Sequence, residues 1–535
     1  MIKRKTLFYC TVFVCALVAG CGIYVGLRSN YNPNYADSIP QTKYGAFLAA
    51  QHAIYVNDFE SMEKFIPEFE DVEYNTVKNT RILAEFLGGD IPSDVKTLAD
   101  DKNAASRLIY DAYLVKNDRW DDLYKRRNTE KSAVYAPLRI WSGIAKKRIT
   151  ETLKYIDTID SNPGWKAFVR GQIYAEQGDF ERAAGAFANV PLEFMNINDY
   201  MYIMSFYITH DMPENAASLR EQFISTPGGM FMTEFDEFPD WADLAGIKNA
   251  LAFDMIQNVA HTQIILYSDL SVLMLRFAQI IGPTTPMFRN MTDYYLGQFF
   301  ANMGGNYAKY FDNIDTTSPL KLFAQMRNDD SPQTMKQILD KHPMFIPALN
   351  KLVAARTANG DKYGAIKIIN RALKNDKLSG AGRAHLLKRR ALVYWVYGDL
   401  NDAQRDIHDA AKIQDTDGEI LAIQARIWAA QGREIENAYN YAMTLIKHNP
   451  TDVVAWDTLA VVVAAREGND AALEILEKVG GTANTCSSLF EHLGDAYVQD
   501  GNNKSARDAY MRAIELSDDG FSVVPKIMKK IKKLN

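Results

Sequence analysis

The amino-acid sequence predicts an all-α fold in which helical hairpins stack into a solenoid. The first observation is a period, since Ala438, Ala472 and Ala506 follow one another at intervals of 34 residues. A repeat of that length holds two helices and a turn. The second is a series of turn dipeptides, most of them beginning with glycine, that recur near that spacing. The third is the scarcity of strand signals, because no hairpin dipeptide lies between alternating apolar runs.

Composition narrows the class of protein. The 535-residue chain is 47% hydrophobic and 24% charged, which is too apolar for an intrinsically disordered protein. Its 18 prolines and 31 glycines exclude collagen-like and proline-rich low complexity. A net charge of −6 gives no global indication of nucleic-acid binding. Three of the four cysteines lie in the first 21 residues, a clustering that argues against a disulfide framework.

The N-terminus has the layout of a secretory signal. Lys3, Arg4 and Lys5 precede an apolar run from Leu7 to Gly20. A signal of this kind keeps its positive end in the cytoplasm while the chain that follows is exported. The segment is therefore left out of the fold prediction, and the body of the protein is expected outside the cytoplasm.

The end of this segment, Leu17 to Cys21, resembles the lipobox of bacterial lipoproteins, in which small residues precede a lipid-modified cysteine. The resemblance implies that Cys21 is the lipidated mature N-terminus and that residues 1–20 are a cleaved signal peptide. The alternative is an uncleaved transmembrane anchor over residues 7–27, because the run stays apolar and is long enough to span a bilayer. Both interpretations tether the body to a membrane, and residues 28–42 then form a spacer rich in Asn, Pro and Ser.

The last repeat of the chain resembles the tetratricopeptide (TPR) repeat. The positions that carry the resemblance are Leu493, Gly494, Tyr497, Gly501, Ala506, Tyr510 and Ala513. Small residues such as Gly494 and Ala506 let the two helices of a unit approach each other, whereas Tyr510 fills the space between helices. The resemblance implies a right-handed superhelix of amphipathic units, and each unit buries its apolar face only against its neighbours.

The turn between the two helices of a unit recurs upstream, where the rest of the repeat has diverged. It is found at Gly360-Asp361, Gly398-Asp399, Gly432-Arg433, Gly468-Asn469, Gly501-Asn502, Gly178-Asp179, Gly304-Gly305 and Asn57-Asp58, with weaker echoes at Gly89-Asp90, Asn117-Asp118 and His210-Asp211. Glycine readily adopts the backbone that ends a helix, and a following Asp or Asn can cap the next one. About ten to twelve hairpins are therefore expected between residues 43 and 520.

These observations divide the body of the chain into regions. They are an N-terminal degenerate TPR-like array at 43–225, a connector at 226–241, a central helical region with degenerate TPR at 242–345, a C-terminal TPR array at 346–520 and a basic helix at 521–535. The connector is irregular and acidic-aromatic, which is typical of a boundary between two solenoid segments or of a mobile loop that contacts a partner. The basic helix is expected to cap the last unit, or alternatively to lie on anionic lipid or another anionic partner.

A search for catalytic and metal-binding motifs finds little. The eight histidines form no HExxH pattern and none has zinc-site spacing to a cysteine. Neither a phosphate-binding glycine loop nor a GxSxG elbow occurs. Ser318 and Lys321 fit the SxxK pattern of penicillin-recognising enzymes, but the motifs that accompany it there are missing. Cys486 is expected to be a partly buried free thiol. The sequence therefore predicts a protein that is not an enzyme and needs neither cofactor nor metal.

The resemblance to TPR proteins implies that the first helix of each unit lines a concave groove that binds proteins. The positions that carry over are His385, Lys388, Arg389, Leu392 and Trp395 in one unit, and Ser488, Glu491 and Asp495 in another. The first set is basic with one aromatic ring, which suits an acidic peptide or a terminal carboxylate. The alternative is a solvated charged helix face. Leu392 stands where the chaperone-type carboxylate clamp of TPR proteins has Asn, so that clamp is not predicted.

The sequence thus predicts a membrane-tethered, extracytoplasmic TPR scaffold that mediates protein–protein interactions in a bacterial cell envelope, with its body in the periplasm. The protein partners are not identified by the sequence, and no nucleic acid is expected. Two alternatives stay open: an envelope enzyme acting on glycan or peptidoglycan with a TPR accessory region, and a peptide- or glycan-binding module. The enzyme would need a site in the degenerate region 190–345.

Overall fold

The computed structural model describes residues 42–55, 62, 64–69, 75–226, 228–261, 269–303, 307–414, 417–481, 486–517, 520 and 522–534. These residues form 28 α-helices, four short 3₁₀ helices and no strand, so the predicted all-α class is confirmed. Cys21, both versions of the N-terminal segment, residues 28–41 of the spacer, and the turns predicted at Asn57-Asp58 and Gly304-Gly305 lie outside them. No helix in this part of the chain combines the length and apolarity needed to cross a bilayer.

The helices before the connector are mostly arranged as hairpins. They are α1 (Lys43–Tyr55), α2 (Asn75–Gly88), α3 (Ala104–Lys116), α4 (Trp120–Arg127), α5 (Ala136–Ala145), α6 (Ile149–Thr158), α7 (Pro163–Glu176), α8 (Phe180–Ala188), α9 (Ile197–Thr209) and α10 (Pro213–Ile224), with 3₁₀ turns at Ile66–Phe69, Val95–Leu98 and Ala133–Tyr135. From α3 onward each odd-numbered helix packs against the helix that follows it, and α3–α10 are called the N-terminal array.

The central region follows a 3₁₀ turn at Met230–Glu234. Its helices are α11 (Trp241–Leu244), α12 (Ile247–His261), α13 (Asp269–Ile281), α14 (Pro286–Met303), α15 (Ala308–Asn313), α16 (Pro319–Asn328) and α17 (Pro332–Lys341). The largest buried apolar cluster includes residues from Ala53 to Val393, so the central helices share a core with the arrays on both sides.

The C-terminal array is the most regular part of the chain. It comprises α18 (Ile346–Ala358), α19 (Lys362–Leu373), α20 (Gly380–Tyr397), α21 (Leu400–Ala411), α22 (Gly418–Gln431), α23 (Ile435–His448), α24 (Val453–Glu467), α25 (Asn469–Gly480), α26 (Ser487–Gln499) and α27 (Asn503–Glu515), and it is followed by the C-terminal helix α28 (Val524–Lys533). The even-numbered helix of each pair, from α18 to α26, is the first helix of its hairpin.

The turn inside each hairpin uses a residue with positive φ. In the C-terminal array these are the predicted glycines, Gly360, Gly398, Gly432, Gly468 and Gly501, with φ from 64° to 102°. In the N-terminal array they are Gly178 and three larger residues, Asp118, Lys147 and Asp211, at φ of 55°, 59° and 53°. The sequence predicts turns at Asp118 and Asp211 and misses Lys147, because lysine carries no turn signal.

Some of the residues that follow these turns cap the next helix, as the sequence predicts, whereas Asp399 makes no such hydrogen bond. The side chain of Asp361 accepts a hydrogen bond from the Gly364 backbone N–H at 2.8 Å. The side chain of Asn502 accepts one from the Ser505 N–H at 3.1 Å. Each cap satisfies a backbone donor that has no partner within its own helix, which fixes where the second helix of the hairpin begins.

Close approach within a hairpin depends on a glycine that faces an aromatic ring. Three hairpins share this contact, namely Gly171 with Phe187, Gly297 with Phe311 and Gly494 with Tyr510, and in each a Cβ added to the glycine would lie 2.4 Å from a ring atom. The role predicted for a small residue at Gly494 is therefore confirmed. The ring occupies the space that a side chain on the first helix would need, so the two helices are held at the distance set by the ring.

The connector is buried at its centre. Phe231 in the Met230–Glu234 turn has no exposed surface. Its ring centroid lies 5.6 Å from that of Phe323 and 5.0 Å from that of Phe345. The Glu234 carboxylate accepts a hydrogen bond from the backbone N–H of Met344 at 3.2 Å. These contacts attach the connector to α16 and to the start of the C-terminal array.

Helix α12 lies across the first helices of the N-terminal hairpins. The Trp141 indole of α5 donates to Asp254 at 2.7 Å. The ring centroid of Phe253 lies 5.6 Å from that of Phe168 in α7 and 4.6 Å from that of Tyr202 in α9. The first helices are the ones that line the concave side of a TPR-type array. In this protein that side of the N-terminal array is covered by the chain's own central region.

Asp254 is the buried carboxyl group of this contact. Trp141 Nε1 donates to Asp254 Oδ2, and both side chains are buried. Burial raises the pKa of Asp254 from 3.8 to about 7, and the hydrogen bond from Trp141 offsets only part of that effect. The folded protein therefore holds this proton up to neutral pH, whereas the unfolded chain releases it near pH 4.

Replacing Gly494 by alanine is expected to lower stability. The added methyl group must displace the Tyr510 ring, and overpacking of this kind costs ~1–3 kcal/mol. Gly185→Ala is the matched control, since Gly185 is exposed in α8 and its added Cβ would meet no atom within 4 Å. Alanine there should stabilise the helix by up to ~1 kcal/mol. Urea-unfolding midpoints measure both effects, and equal midpoints for Gly494→Ala and wild type would show that the close approach is not required.

Replacing Asp254 by asparagine is expected to stabilise the protein increasingly as the pH rises. The pKa of Asp254 is higher in the folded state, so wild-type stability falls between about pH 4 and pH 7 as the unfolded chain ionises. Asparagine keeps an acceptor for Trp141 and cannot ionise. The gain should therefore grow over that range and level off at roughly 4 kcal/mol above pH 7. Urea unfolding from pH 4 to 8 tests this, with the exposed Asp100→Asn as control; a gain independent of pH would contradict it.

Candidate functional site

The basic residues predicted on α20 are paired with carboxylates of the next unit. Lys388 Nζ lies 2.7 Å from Asp417 Oδ2 and 3.1 Å from Glu419 Oε2, and Arg389 Nη2 lies 3.2 Å from Glu419 Oε1. His385 is buried, and its burial together with the charge of Arg389 lowers its pKa to about 4, so the ring is neutral at pH 7. The helix therefore presents ion pairs already formed, and the docking of an acidic segment here stays a prediction.

The aromatic residue of this set contacts the helix that carries the second predicted set. Trp395 is half-buried, with the Arg426 guanidinium carbon 5.3 Å from its ring centroid. Its centroid lies 6.2 Å from that of His492, a residue 97 positions later in the chain on α26. Leu392, by contrast, is buried in the apolar cluster between α20 and α21. The first helices of distant units thus meet on one inner face of the C-terminal array.

The centre of this inner face is the carboxylate of Asp457, which has no exposed surface. Arg426 Nη2 lies 3.0 Å from Asp457 Oδ2, and the Ser488 hydroxyl donates to the same oxygen at 2.5 Å. His492 Nδ1 lies 2.7 Å from Asp457 Oδ1. A single buried carboxylate therefore joins the first helices of three successive hairpins, α22, α24 and α26.

The groups around Asp457 keep it ionised. Burial alone would raise the pKa of Asp457, but the charges of His492 and Arg426 and the hydrogen bonds it accepts lower it to about 2. In return, Asp457 raises the pKa of His492 even though burial of the ring opposes its charge. The arrangement is therefore a single carboxylate held by three groups, which are the Arg426 guanidinium, the Ser488 hydroxyl and the His492 ring. The sequence predicts Ser488 as a site residue but not Arg426, Asp457 or His492. These three occupy positions in their units other than those expected to line the groove.

The remaining predicted residues, Glu491 and Asp495, are bound by the C-terminal helix. Lys530 Nζ lies 2.8 Å from Glu491 Oε1 and 2.7 Å from Asp495 Oδ2. The Tyr510 hydroxyl also donates to Asp495, at 2.6 Å. Both carboxylates on this part of α26 are therefore engaged by residues that follow them in the same chain.

Two clefts flank the loop that leads into α9. One, of about 580 Å³, is lined by Trp165, Phe194, Asn258 and His261 among others, and the other, of about 590 Å³, by Phe223, Tyr294, Tyr295 and Phe323 among others. His261 Nε2 lies 2.9 Å from Asp199 Oδ2 at the edge of the first cleft. The second cleft lies in the region 190–345, where the enzyme alternative needs a site, whereas the first is lined by residues of that region and also by residues 133–165. No motif of the sequence marks this His–Asp pair.

The isolated motifs noted in the sequence have structural explanations. The Ser318 hydroxyl accepts a hydrogen bond from the Leu320 backbone N–H at 3.3 Å and caps α16, while Lys321 Nζ donates to the Phe311 carbonyl at 2.7 Å. Cys486 is buried, and burial raises its pKa to about 11, so its thiol stays protonated. Across the described residues, His, Cys, Asp and Glu nowhere assemble in threes with a geometry that could hold a metal ion.

Replacing Asp457 by asparagine is expected to destabilise the protein by ~3–5 kcal/mol, because the buried Arg426 guanidinium then faces a neutral amide. The matched control is Glu515→Gln, which makes the same chemical change in an exposed ion pair with Arg512 and should cost less than ~1 kcal/mol. Urea unfolding at pH 7 compares the two variants. Similar midpoints would show that the inner-face network adds little to stability.

Comparisons with known proteins identify the repeat. A family model described as a tetratricopeptide repeat matches residues 488–519. The human Tetratricopeptide repeat protein 7A is 25% identical over 133 residues, which span 24% of this chain and only 15% of the human protein.

Solved structures with similar helical arrangements are more distant. A tetratricopeptide repeat protein from Parabacteroides merdae is 16% identical, with a TM-score of 0.31, over 53% of this chain and 98% of its own. YrrB, described as a TPR protein with an unusual peptide-binding site, is 15% identical, with a TM-score of 0.22, over 38% of this chain and 100% of its own. The matched family repeat coincides with the α26–α27 hairpin, and the hairpins before it are built in the same way. This chain is therefore a TPR-type helical-hairpin solenoid.

Proposed function

We propose that this protein is a membrane-tethered, extracytoplasmic scaffold of a bacterial cell envelope that binds protein partners through its stacked hairpins. The observation that carries the proposal is the TPR at 488–519, which continues upstream as hairpins of the same kind. Arrays of this type offer extended surfaces for binding other proteins. The cationic residues and apolar run that begin the sequence support the location.

The partner-binding surface that we propose is the inner face of the C-terminal array. The two helices that carry the sets of residues expected to bind, α20 and α26, meet there through the Trp395–His492 contact. The ion pairs that Lys388 and Glu491 form there are only partly shielded, since each has a carboxylate or ammonium partner that retains some exposure. Asp417, Glu419 and Lys530 keep about a quarter to a third of their side-chain surface exposed, so these are the charged groups that a partner can contact there.

Tethering supports this role, because a scaffold held at a bilayer meets neighbouring membrane proteins at a high effective concentration. A lipid on Cys21 and a transmembrane anchor over residues 7–27 would have the same effect on the body of the protein. A diacyl anchor with an N-acyl chain gives stable attachment, whereas a single chain gives only marginal binding.

Photo-crosslinking in cells tests the scaffold. A probe at Arg383, an exposed residue at the start of α20, is expected to trap the same protein partner in repeated preparations of the envelope fraction. The matched control is a probe at Lys504, which is exposed on α27 away from the inner face. A specific adduct at Arg383 supports the scaffold, whereas no adduct above that of the control would contradict it.

The same cells test the anchor. If Cys21 carries lipid, Cys21→Ser should release the protein from the membrane fraction and reduce the Arg383 adduct. Cys15→Ser, inside the apolar run, is the control and should change neither. Mass spectrometry of the mature N-terminus separates the two anchors, because a lipid-modified Cys21 supports the lipoprotein and an intact Met1 supports the transmembrane anchor.

A further inference from the structure

We propose that the surface beneath the C-terminal helix α28 is a docking site for a basic amphipathic helix of a partner protein, and that α28 occupies this site in the isolated chain. This inference rests on the proposed scaffold function and names the chemistry of its partner. The docking site comprises the face of α26 that carries Glu491 and Asp495, the adjoining face of α27, and the ends of α18 and α20.

Charge complementarity is the first argument. The Lys530 ammonium is held between two carboxylates of α26, at 2.8 Å from Glu491 and 2.7 Å from Asp495. Ser522, just before the helix, donates to the other oxygen of Glu491 at 2.8 Å. Burial of the ammonium favours its neutral form, yet the two carboxylates raise the pKa of Lys530 above its usual value. This acidic pair thus selects a cationic side chain.

Apolar contact is the second argument. Ile527 and Ile531 are four positions apart, on one face of α28, and both are buried. They join the apolar cluster formed by α26 and α27, which includes Leu493 and Tyr510. Apolar residues at this spacing on an amphipathic helix are the ordinary means by which a helix binds a groove on another protein.

The N-terminal end of α28 reaches across to earlier units of the array. Lys526 Nζ donates to the Val396 carbonyl of α20 at 2.7 Å, although the two residues are 130 positions apart. Pro525 lies against the α18–α19 turn, 3.3 Å from where a Cβ on Gly360 would be. A Cβ on Gly520 would lie only 2.8 Å from Ala354 Cα. Gly520 and helix α28 therefore connect the first units of the array to the last.

The two faces of α28 differ in a way that defines the partner. Lys526, Ile527, Lys530 and Ile531 face the array, whereas Met528, Lys529, Lys532 and Lys533 are exposed. The docking site therefore recognises the spacing Lys-Ile-x-x-Lys-Ile in a helix and makes no use of the lysines on the exposed face. Because α28 belongs to the same chain, it competes with any partner helix and weakens the partner's apparent affinity.

The experiment uses the full chain and a fluorescent peptide with the sequence of residues 522–534. The variant Lys530→Glu/Ile531→Asp disables α28 while leaving the docking site on α26 intact. The matched control, Met528→Asp/Lys529→Glu, makes the same chemical changes on the exposed face of the same helix. The peptide should bind the first variant about tenfold or more tightly than it binds wild type or the control.

A reciprocal change identifies the site. Adding Glu491→Lys to the disabled variant should abolish peptide binding, and a peptide carrying Lys530→Glu should recover part of it. Circular dichroism spectra show whether each variant keeps the helical content of the folded protein. If the disabled variant does not fold, hydrogen exchange of wild type with excess peptide replaces it, and α28 amides should then exchange faster.

Two results would overturn the proposal. One is that the peptide binds neither the disabled variant nor, when added in excess, the wild-type protein. The other is that the peptide binds the disabled variant and the Met528→Asp/Lys529→Glu control equally well. A disabled variant that forms a stable dimer with wild-type chain would show that the occupant is a second copy. Peptide binding without any specific adduct at Arg383 in cells would contradict the scaffold alone, and an Arg383 adduct without peptide binding would contradict this docking site alone.

Discussion

The structure depends on one constraint, which is that a two-helix unit buries its apolar face only against its neighbours. Within a hairpin, the helices approach until a glycine such as Gly494 meets an aromatic ring. Between hairpins, stacking continues from unit to unit, and one apolar cluster extends from Ala53 to Val393. The constraint explains why the buried apolar residues of the described chain form clusters that join neighbouring helices along the array. It also explains why turn residues and small residues recur, while most other positions vary.

Burial extends to the inner faces of both arrays, where two aspartates have almost no exposed surface. Each carboxyl group is accommodated in a different way. Where α12 covers the N-terminal array, its residue Asp254 is buried against Trp141 and keeps its proton up to neutral pH. On the C-terminal array, Asp457 is equally buried but stays ionised, because Arg426 and His492 lie against it. A buried carboxyl group must be neutral or paired, and the neighbours decide which. Both inner faces thus carry buried contacts between residues of the chain itself, one centred on Asp254 and the other on Asp457.

The sequence predicts the parts of this fold that follow from local physics. Turn glycines such as Gly398, helix caps such as Asp361 and the small residue at Gly494 are confirmed, since each is required by its immediate backbone or by its own hairpin. What the sequence does not predict depends on residues far apart in the chain. The contact of Trp395 with His492 and the placement of α12 over the N-terminal hairpins arise from superhelical curvature, which single-unit patterns do not encode.

Closure of the inner faces has a consequence for how the chain folds. A simple repeat array can begin folding at any unit and extend one neighbour at a time, because nearly all of its contacts are local. Here Trp141 contacts Asp254 across 113 positions, and Lys526 contacts Val396 across 130. Contacts at such separation form only after the intervening loops have lost their freedom, which slows folding. The chain therefore combines rapid local assembly of hairpins with late, long-range closure steps that couple distant units into a single cooperative structure.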